Sequence, residues 1–406
     1  MRVFVEKMVY GGHGLARTEN GYVFVKGAIA GEVVETEIDK KKKDYSFAYV
    51  RDIVEPSPLR IPTRCPHFGV CGGCDWQYIS YEGQLDMKGQ ILEDTFRRIG
   101  GVEVKPELIA KSQPWAYRYR ARFHSDHRGR LGFYRGRTNE VVWIGSCPVL
   151  VPSLNEAKRD LEELRAFERG TEISMRCAYG RDDVLAHIKG KVRKGVRRRL
   201  RELPFSVIEN EKLLRGRPYT LERWCDLEVR FSYNSFSQVN PMVAEDLYFF
   251  IREELNDFEK VWYLYGGVGI LAMLLALDGK EVKLIEASDC AVKDAEENLR
   301  KYGLLGKVEV IRGDVERIFP SLLAEFEAEA IVADPPREGM DKKVIGAIKN
   351  SNVEKIIYVS CYPPVLARDV CFLREIGYEL VALKWVDMFP QTSHIEAIGI
   401  FRKGGG

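Results

Sequence analysis

From about position 226 to the end of the chain, apolar β-type runs alternate with helical stretches, and no other feature narrows the fold so far. The runs are VWYLYGG, VKLIEA, VEVIRGD, AIVADPP and KIIYVSC, and helical patterns cover 270–278, 291–303, 341–350 and 363–376. Buried β-runs separated by helices at this spacing imply a doubly wound α/β sheet of parallel strands. Ligands of such a sheet bind in the crevice outside the carboxyl ends of its strands. The residues that end each run are therefore where chemistry is sought.

Tyr265-Gly266-Gly267-Val268-Gly269 follows the first run and opens the first helix. Glycines there, Gly267 among them, let the backbone approach a cofactor and leave helix N–H groups free to bind it. Glu286 ends the second run, about twenty residues on, where an acid can accept both hydrogen bonds of a ribose diol. Asp314 ends the third run, in reach of an adenine amino group, and Asp334 ends the fourth. Each acid alone could be a helix N-cap. Together at one sheet edge, they suit S-adenosylmethionine better than a pyrophosphate dinucleotide. The fifth run ends in Ser360-Cys361-Tyr362, and Pro363-Pro364 opens the helix after it. Cys361 is thus either packing or a nucleophile held over the sheet edge.

The first 58 residues read as short strands broken by glycine turns, as in a small all-β, OB-like barrel of about five strands. Lys40–Lys43 form a basic tip followed by Tyr45, Phe47 and Tyr49, a pairing of cations and aromatics suited to single-stranded RNA or simply a solvated turn. The stretch GGHGLAR…GYVFVKGAIAGEVVE resembles the TRAM domain, an RNA-binding barrel. After the proline-rich EPSPLRIPTRCP, residues 59–225 mix strands and helices in a central α+β region. That region holds a helix-like basic run from Lys189 to Arg201, with eight cations and no acid between them, for which RNA phosphate is the expected partner. Residues 226–406 complete the chain as the α/β domain.

Nine cysteines in a chain that opens without an apolar signal segment argue against a disulfide framework. Three of them, Cys65, Cys71 and Cys74, have a C-x5-C-x2-C spacing, and Cys147, followed by Pro148, is the best fourth ligand. Such a set would hold a [4Fe–4S] cluster, with four-cysteine zinc as the competitor and His67 as an incidental neighbour. The remaining cysteines, 177, 225, 290 and 371, read as packing, with Cys371 facing the core. The longest strongly apolar run, Ile270–Leu277, is too short to span a bilayer, so a cytoplasmic protein without membrane contact is expected. A net charge of +2 makes any claim of nucleic-acid binding depend on local clusters.

These features, with SFSQVN (235–240), DPPREG (334–339), YVSCYPPVLARD (358–369) and FPQTSHIEAI (389–398), resemble the RNA (uracil-5-)methyltransferases over almost the whole chain. The resemblance implies a monomer that methylates carbon 5 of a uridine in structured RNA, rRNA or tRNA, with an rRNA target slightly preferred. It implies cofactor contacts from Gln238, Tyr265, Glu286, Asp314 and Asp334, Cys361 as nucleophile and Glu396 as base. Four positions depart from the family pattern. Tyr263 stands where aspartate opens the glycine motif, Gly266 replaces a cysteine and is followed by Ile270 in place of a polar residue, and Tyr362 replaces an asparagine.

The residues themselves suit that chemistry. Carbon 5 of uracil becomes nucleophilic only after a thiolate adds at carbon 6, and a separate base must then remove the carbon 5 proton. Cys361 and Glu396 supply such a pair, with His394 the alternative base. The helix N-terminus at Pro363 and Arg337 or Arg368 are expected to lower the thiol pKa. A cytosine-5 enzyme would carry a cysteine beside the proline of ADPPR, which is absent, and a non-catalytic RNA-binding iron–sulfur protein would be signalled by failure to bind S-adenosylmethionine.

Overall fold

The N-terminal run MRVFVEKMV is split into two strands, Arg2–Phe4 and Lys7–Val9, that lie at opposite edges of one sheet. In this computed structural model, which describes residues 1–404, that sheet has six strands instead of about five. Val5 bonds to the Glu32 carbonyl and Glu6 to the Leu15 carbonyl, so the bend joins the two edges and leaves no open one. Buried Val3, Val5, Val23, Val25 and Val34 fill the interior.

The central region forms a seven-stranded sheet from Val141–Trp143 at one edge to Lys212–Arg215 at the other, with its own apolar core. The Lys189–Arg201 run is not a helix. Lys189 ends a strand, residues 190–196 form a loop, and only Arg197–Leu200 makes a helical turn. Like charges repel along a helix, and here the run is also partly neutralised, since Arg197 donates to both oxygens of Glu209 at 2.7 and 3.0 Å.

The C-terminal sheet has eight strands in the order Val308–Arg312, Glu281–Glu286, Lys260–Leu264, Ala330–Ala333, Lys355–Ser360, Glu396–Lys403, Tyr378–Val386 and Glu107–Ala110. The first five are parallel, as the alternation of runs and helices requires, and Glu396–Lys403 runs antiparallel between the fifth strand and Tyr378–Val386. The outermost strand, Glu107–Ala110, comes from the central stretch of sequence. Helix Tyr81–Thr95 of the same stretch buries Leu85, Ile91 and Leu92 in the core beneath this sheet.

Helix ends follow local chemistry. Ser288 caps Asp289–Lys301, which carries Asp289 in its first turn and Arg300 and Lys301 in its last, matching the helix dipole. Pro363 starts the helix after Cys361, where its missing N–H costs nothing. Among the described residues, no helix is long and apolar enough to cross a membrane.

Candidate active site

Three titratable side chains end neighbouring strands at one sheet edge. Ala333 is paired with Tyr358, and Ser360 with Ala397, so Asp334, Cys361 and Glu396 follow or precede those pairs on three adjacent strands. Glu396 is fully buried at 2% exposure. Burial and the neighbouring Asp334 carboxylate hold its proton well above the ordinary glutamate range, while Arg337 opposes. Burial likewise pushes Asp334 up to about 7. Two carboxyl groups this close titrate as a pair, and one stays protonated near neutrality.

The Cys361 thiol is not lowered, contrary to the expectation from its helix and arginines. Burial, then the Glu396 carboxylate and Asp334, push it up to about 11 against the pull of Arg337. Arg368 takes no part, because its guanidinium is committed to Asp369 at 2.8 Å and to the Glu338 carbonyl at 3.0 Å. His394 is exposed in the loop before Glu396, its ring edge-on to Phe389 with centroids 5.8 Å apart.

On the other side of Asp334 a narrow cavity of about 40 Å³ is lined by Gln238, Tyr265, Gly267, Tyr248 and Asp334. Tyr265 has a left-handed backbone (φ 61°), strain that a non-glycine residue adopts only where its surroundings enforce it, and its hydroxyl donates to Glu316 at 2.7 Å. Glu286 accepts from the Gly267 and Ser288 amides at 3.0 and 2.7 Å, which ties the glycine turn to the next strand end. Asp314 caps helix Val315–Leu322 by accepting from the Glu316 amide at 3.2 Å, and the Gly313 amide before it bonds to the Glu286 carbonyl. Glu286 and Asp314 thus adjoin each other, and both lie outside the cavity wall, Glu286 reaching it only through its bond to the Gly267 amide.

Two departures from the family pattern lie against each other. A Cβ built on Gly266 would come 2.5 and 2.8 Å from Leu284 Cγ and Cδ1 and 3.0 Å from Tyr263 Cδ1. Leu284 first, and then the buried Tyr263 ring, fill the space that a side chain at 266 would need.

Residues that no sequence pattern singles out hold the loop before Glu396. Fully buried Lys88 donates to Asp387 at 2.6 Å and to the Phe389 carbonyl at 3.1 Å, and the Gln84 amide donates to the Gln391 side chain at 3.2 Å. The signal for Lys88 was at most a lone lysine on the apolar face of a helix.

Cys65, Cys71, Cys74 and Cys147 line a second cavity of about 270 Å³, together with His67, Arg118 and His124. Burial, with the neighbouring thiols adding to it, pushes Cys74 up to about 12 and Cys147 up to about 11. Among the described residues, no three His, Cys, Asp or Glu side chains converge closely enough to hold a single metal ion. Of the other cysteines, Cys177 is buried, and Cys371 is only half-buried, its Sγ 3.7 Å from the Ile99 and Gly100 carbonyls, instead of facing the core.

Residues 223–403 match the tRNA (uracil-5-)-methyltransferase family model, and residues 1–50 match the TRAM domain. The chain is 32% identical to an uncharacterized RNA methyltransferase of Halalkalibacterium halodurans, over 98% of this chain and 96% of that protein. It is also 32% identical to one of Aquifex aeolicus, over 98% of each. Its fold matches the crystal structure of Pyrococcus abyssi tRNA (uracil-54, C5)-methyltransferase in complex with S-adenosyl-L-homocysteine, with a TM-score of 0.78 at 22% identity over 99% of this chain and 100% of that one.

Proposed function

This chain belongs to the RNA (uracil-5-)methyltransferase family, and we propose that it moves a methyl group from S-adenosylmethionine to carbon 5 of a uridine in structured RNA. The observation that carries this reading is the double position of Asp334. It lines the cavity of Gln238, Tyr265 and Gly267 and also adjoins Cys361 and Glu396, so a donor methyl and a target base would meet across it. Gln238, Tyr265, Gly267, Glu286, Asp314 and Asp334 would hold the donor, whose sulfonium supplies the methyl group.

Cys361 adds to carbon 6 of the extruded uracil, which turns carbon 5 into the nucleophile that takes the methyl. Arg337 favours the thiolate. Glu396 then removes the carbon 5 proton, the electron pair of that C–H bond forms the 5,6 double bond, and the thiolate leaves. A buried carboxyl with a raised pKa is a stronger base once ionised, which suits removal of a carbon-bound proton.

Cys65, Cys71, Cys74 and Cys147 line one cavity and would hold a [4Fe–4S] cluster with one thiolate per iron, four-cysteine zinc being the competitor. The cluster's role in this reading is folding or RNA docking, because the methyl transfer needs no electrons.

The target is rRNA or a tRNA T-loop uridine. The family resemblance slightly prefers rRNA, but the Pyrococcus tRNA enzyme shares the overall fold, so the fold does not select between them. Labelled methyl transfer to unmodified tRNA and to rRNA fragments, side by side, tests the activity. A covalent adduct with 5-fluorouridine RNA, absent in Cys361→Ala, tests the mechanism, and an adduct that persists in that variant would overturn it.

A further inference from the structure

Tyr10 belongs to the N-terminal barrel, in the turn after Lys7–Val9, yet its ring packs against Tyr362 of the catalytic domain. The ring centroids are 5.3 Å apart at 81°, an edge-to-face pair. Tyr362 directly follows Cys361 and caps the helix that begins at Pro363. Beyond that ring contact, Arg337, Cys361 and Glu396 all act electrostatically on the Tyr10 hydroxyl. Both tyrosines are only partly buried, so each keeps some ring surface free.

The turn is fixed in this position. Trp76 donates its indole N–H to the Gly12 carbonyl at 3.4 Å. Gly12 has φ +80°, and a Cβ there would come 2.8 Å from an Asp75 carboxylate oxygen and 2.9 Å from Ser393 Cβ. Asp75 in turn accepts from the Ser393 amide at 2.8 Å and its hydroxyl at 2.6 Å. The barrel turn therefore touches the neighbour of the nucleophile and also the loop that leads to Glu396. From Tyr10 and Pro364 a groove of about 730 Å³ runs between barrel and helix, lined by Tyr22, Phe24, Arg97 and Arg98.

We propose that Tyr10 is a positioning residue for the target base, and that the barrel supplies one wall of the pocket in which the extruded uracil meets Cys361. Tyr362 forms the adjoining wall. The inference rests on the uracil methylation proposed above. A base taken out of its stack loses its neighbours' π-faces, and aromatic side chains at its destination replace them. The aromatic rings of the groove, Tyr22 and Phe24, suit the single-stranded nucleotides that flank it, while Arg97 and Arg98 are ion-paired with Asp94 in the same wall at 2.7 and 3.6 Å. A barrel that served only as a tether would influence RNA affinity. A barrel that walls the pocket influences turnover.

The test uses the full chain as wild type, Tyr10→Phe, Tyr10→Ala, Tyr362→Asn and Tyr10→Ala/Tyr362→Asn, with whichever of tRNA and rRNA fragments the wild type methylates. Tyr10→Ala should lower kcat roughly tenfold, the scale of one aromatic pair. Its S-adenosylmethionine Kd and melting temperature should stay at wild-type values. Tyr10→Phe, which keeps the ring, should restore turnover, and the double variant should lose less than the product of the two single losses. A change in KM alone, or a kcat loss matched by lost melting temperature and cofactor binding, would overturn the assignment while leaving the methylation intact. A wild type that methylates neither RNA would overturn both.

Discussion

Replacing Lys88 with methionine should destabilise the protein by about 3–5 kcal/mol, the cost of stranding a buried carboxylate. Lys88 and Asp387 are both 0% exposed, with Nζ and Oδ1 2.6 Å apart. Methionine keeps most of the apolar stem and removes the charge. Asp387 then retains the Tyr81 hydroxyl, 2.9 Å from its other oxygen, as its side-chain donor. The loss measures the orphaned charge and not the worth of the pair, because an apolar replacement of all partners is often neutral. For a cooperative unit of about 200 residues, that loss lowers the melting temperature by roughly 6–20 °C. Calorimetry on Lys88→Met, compared with Lys88→Met/Asp387→Leu/Tyr81→Phe, checks the reasoning, and the triple variant should recover most of the loss. If Lys88→Met melts within about 1 °C of wild type, or the triple variant melts no higher than the single one, the buried Asp387 charge does not carry this cost. Because Asp387 and Phe389 begin the loop that leads to Glu396, Lys88→Met should also lower kcat at temperatures where it remains folded.

Four further outcomes follow from the site. Burial and nearby carboxylates push the Cys361 thiol up to about 11, so its thiolate fraction grows with pH across neutrality. Adduct formation with 5-fluorouridine RNA should rise about tenfold per pH unit between roughly 6.5 and 8.5, and a flat profile would mean a preformed thiolate. Glu396 binds its proton more tightly folded than unfolded, so its contribution to stability is lost as pH rises above the ordinary glutamate value. Glu396→Gln should therefore abolish turnover yet gain more melting temperature over wild type at pH about 8 than at pH about 4.5. Gly266→Cys should cost about 1–3 kcal/mol by overpacking and weaken S-adenosylmethionine binding in calorimetric titration, combining less than additively with Tyr263→Ala. Removing the charges of Lys42 and Lys43 should reduce the salt slope of RNA binding by about 1.4, if both lysines meet phosphate.

The sequence by itself determined the alternation of the first five C-terminal strands with helices and which residues end those strands. Local apolar runs and helical periods encode each element, and a parallel α/β sheet brings its strand ends to one edge. Glu286, Asp314, Asp334 and Cys361 were legible as strand-end residues for that reason, Cys65, Cys71 and Cys74 as a group through their spacing, and Cys147 through the proline after it. Glu396 was legible only through the family motif, because what sets it beside Cys361 is an antiparallel register fixed by pairing over distant sequence. The same long-range packing recruited Glu107–Ala110 to the sheet edge, broke the basic run of Lys189–Arg201, and brought Tyr10 to the nucleophile's neighbour. The direction of the Cys361 shift was misjudged from sequence because helix and arginines are visible in a motif, while desolvation and the facing carboxylates are not. Periodicity is a property of a short window of chain, whereas register, burial and the field at a thiol belong to the assembled fold.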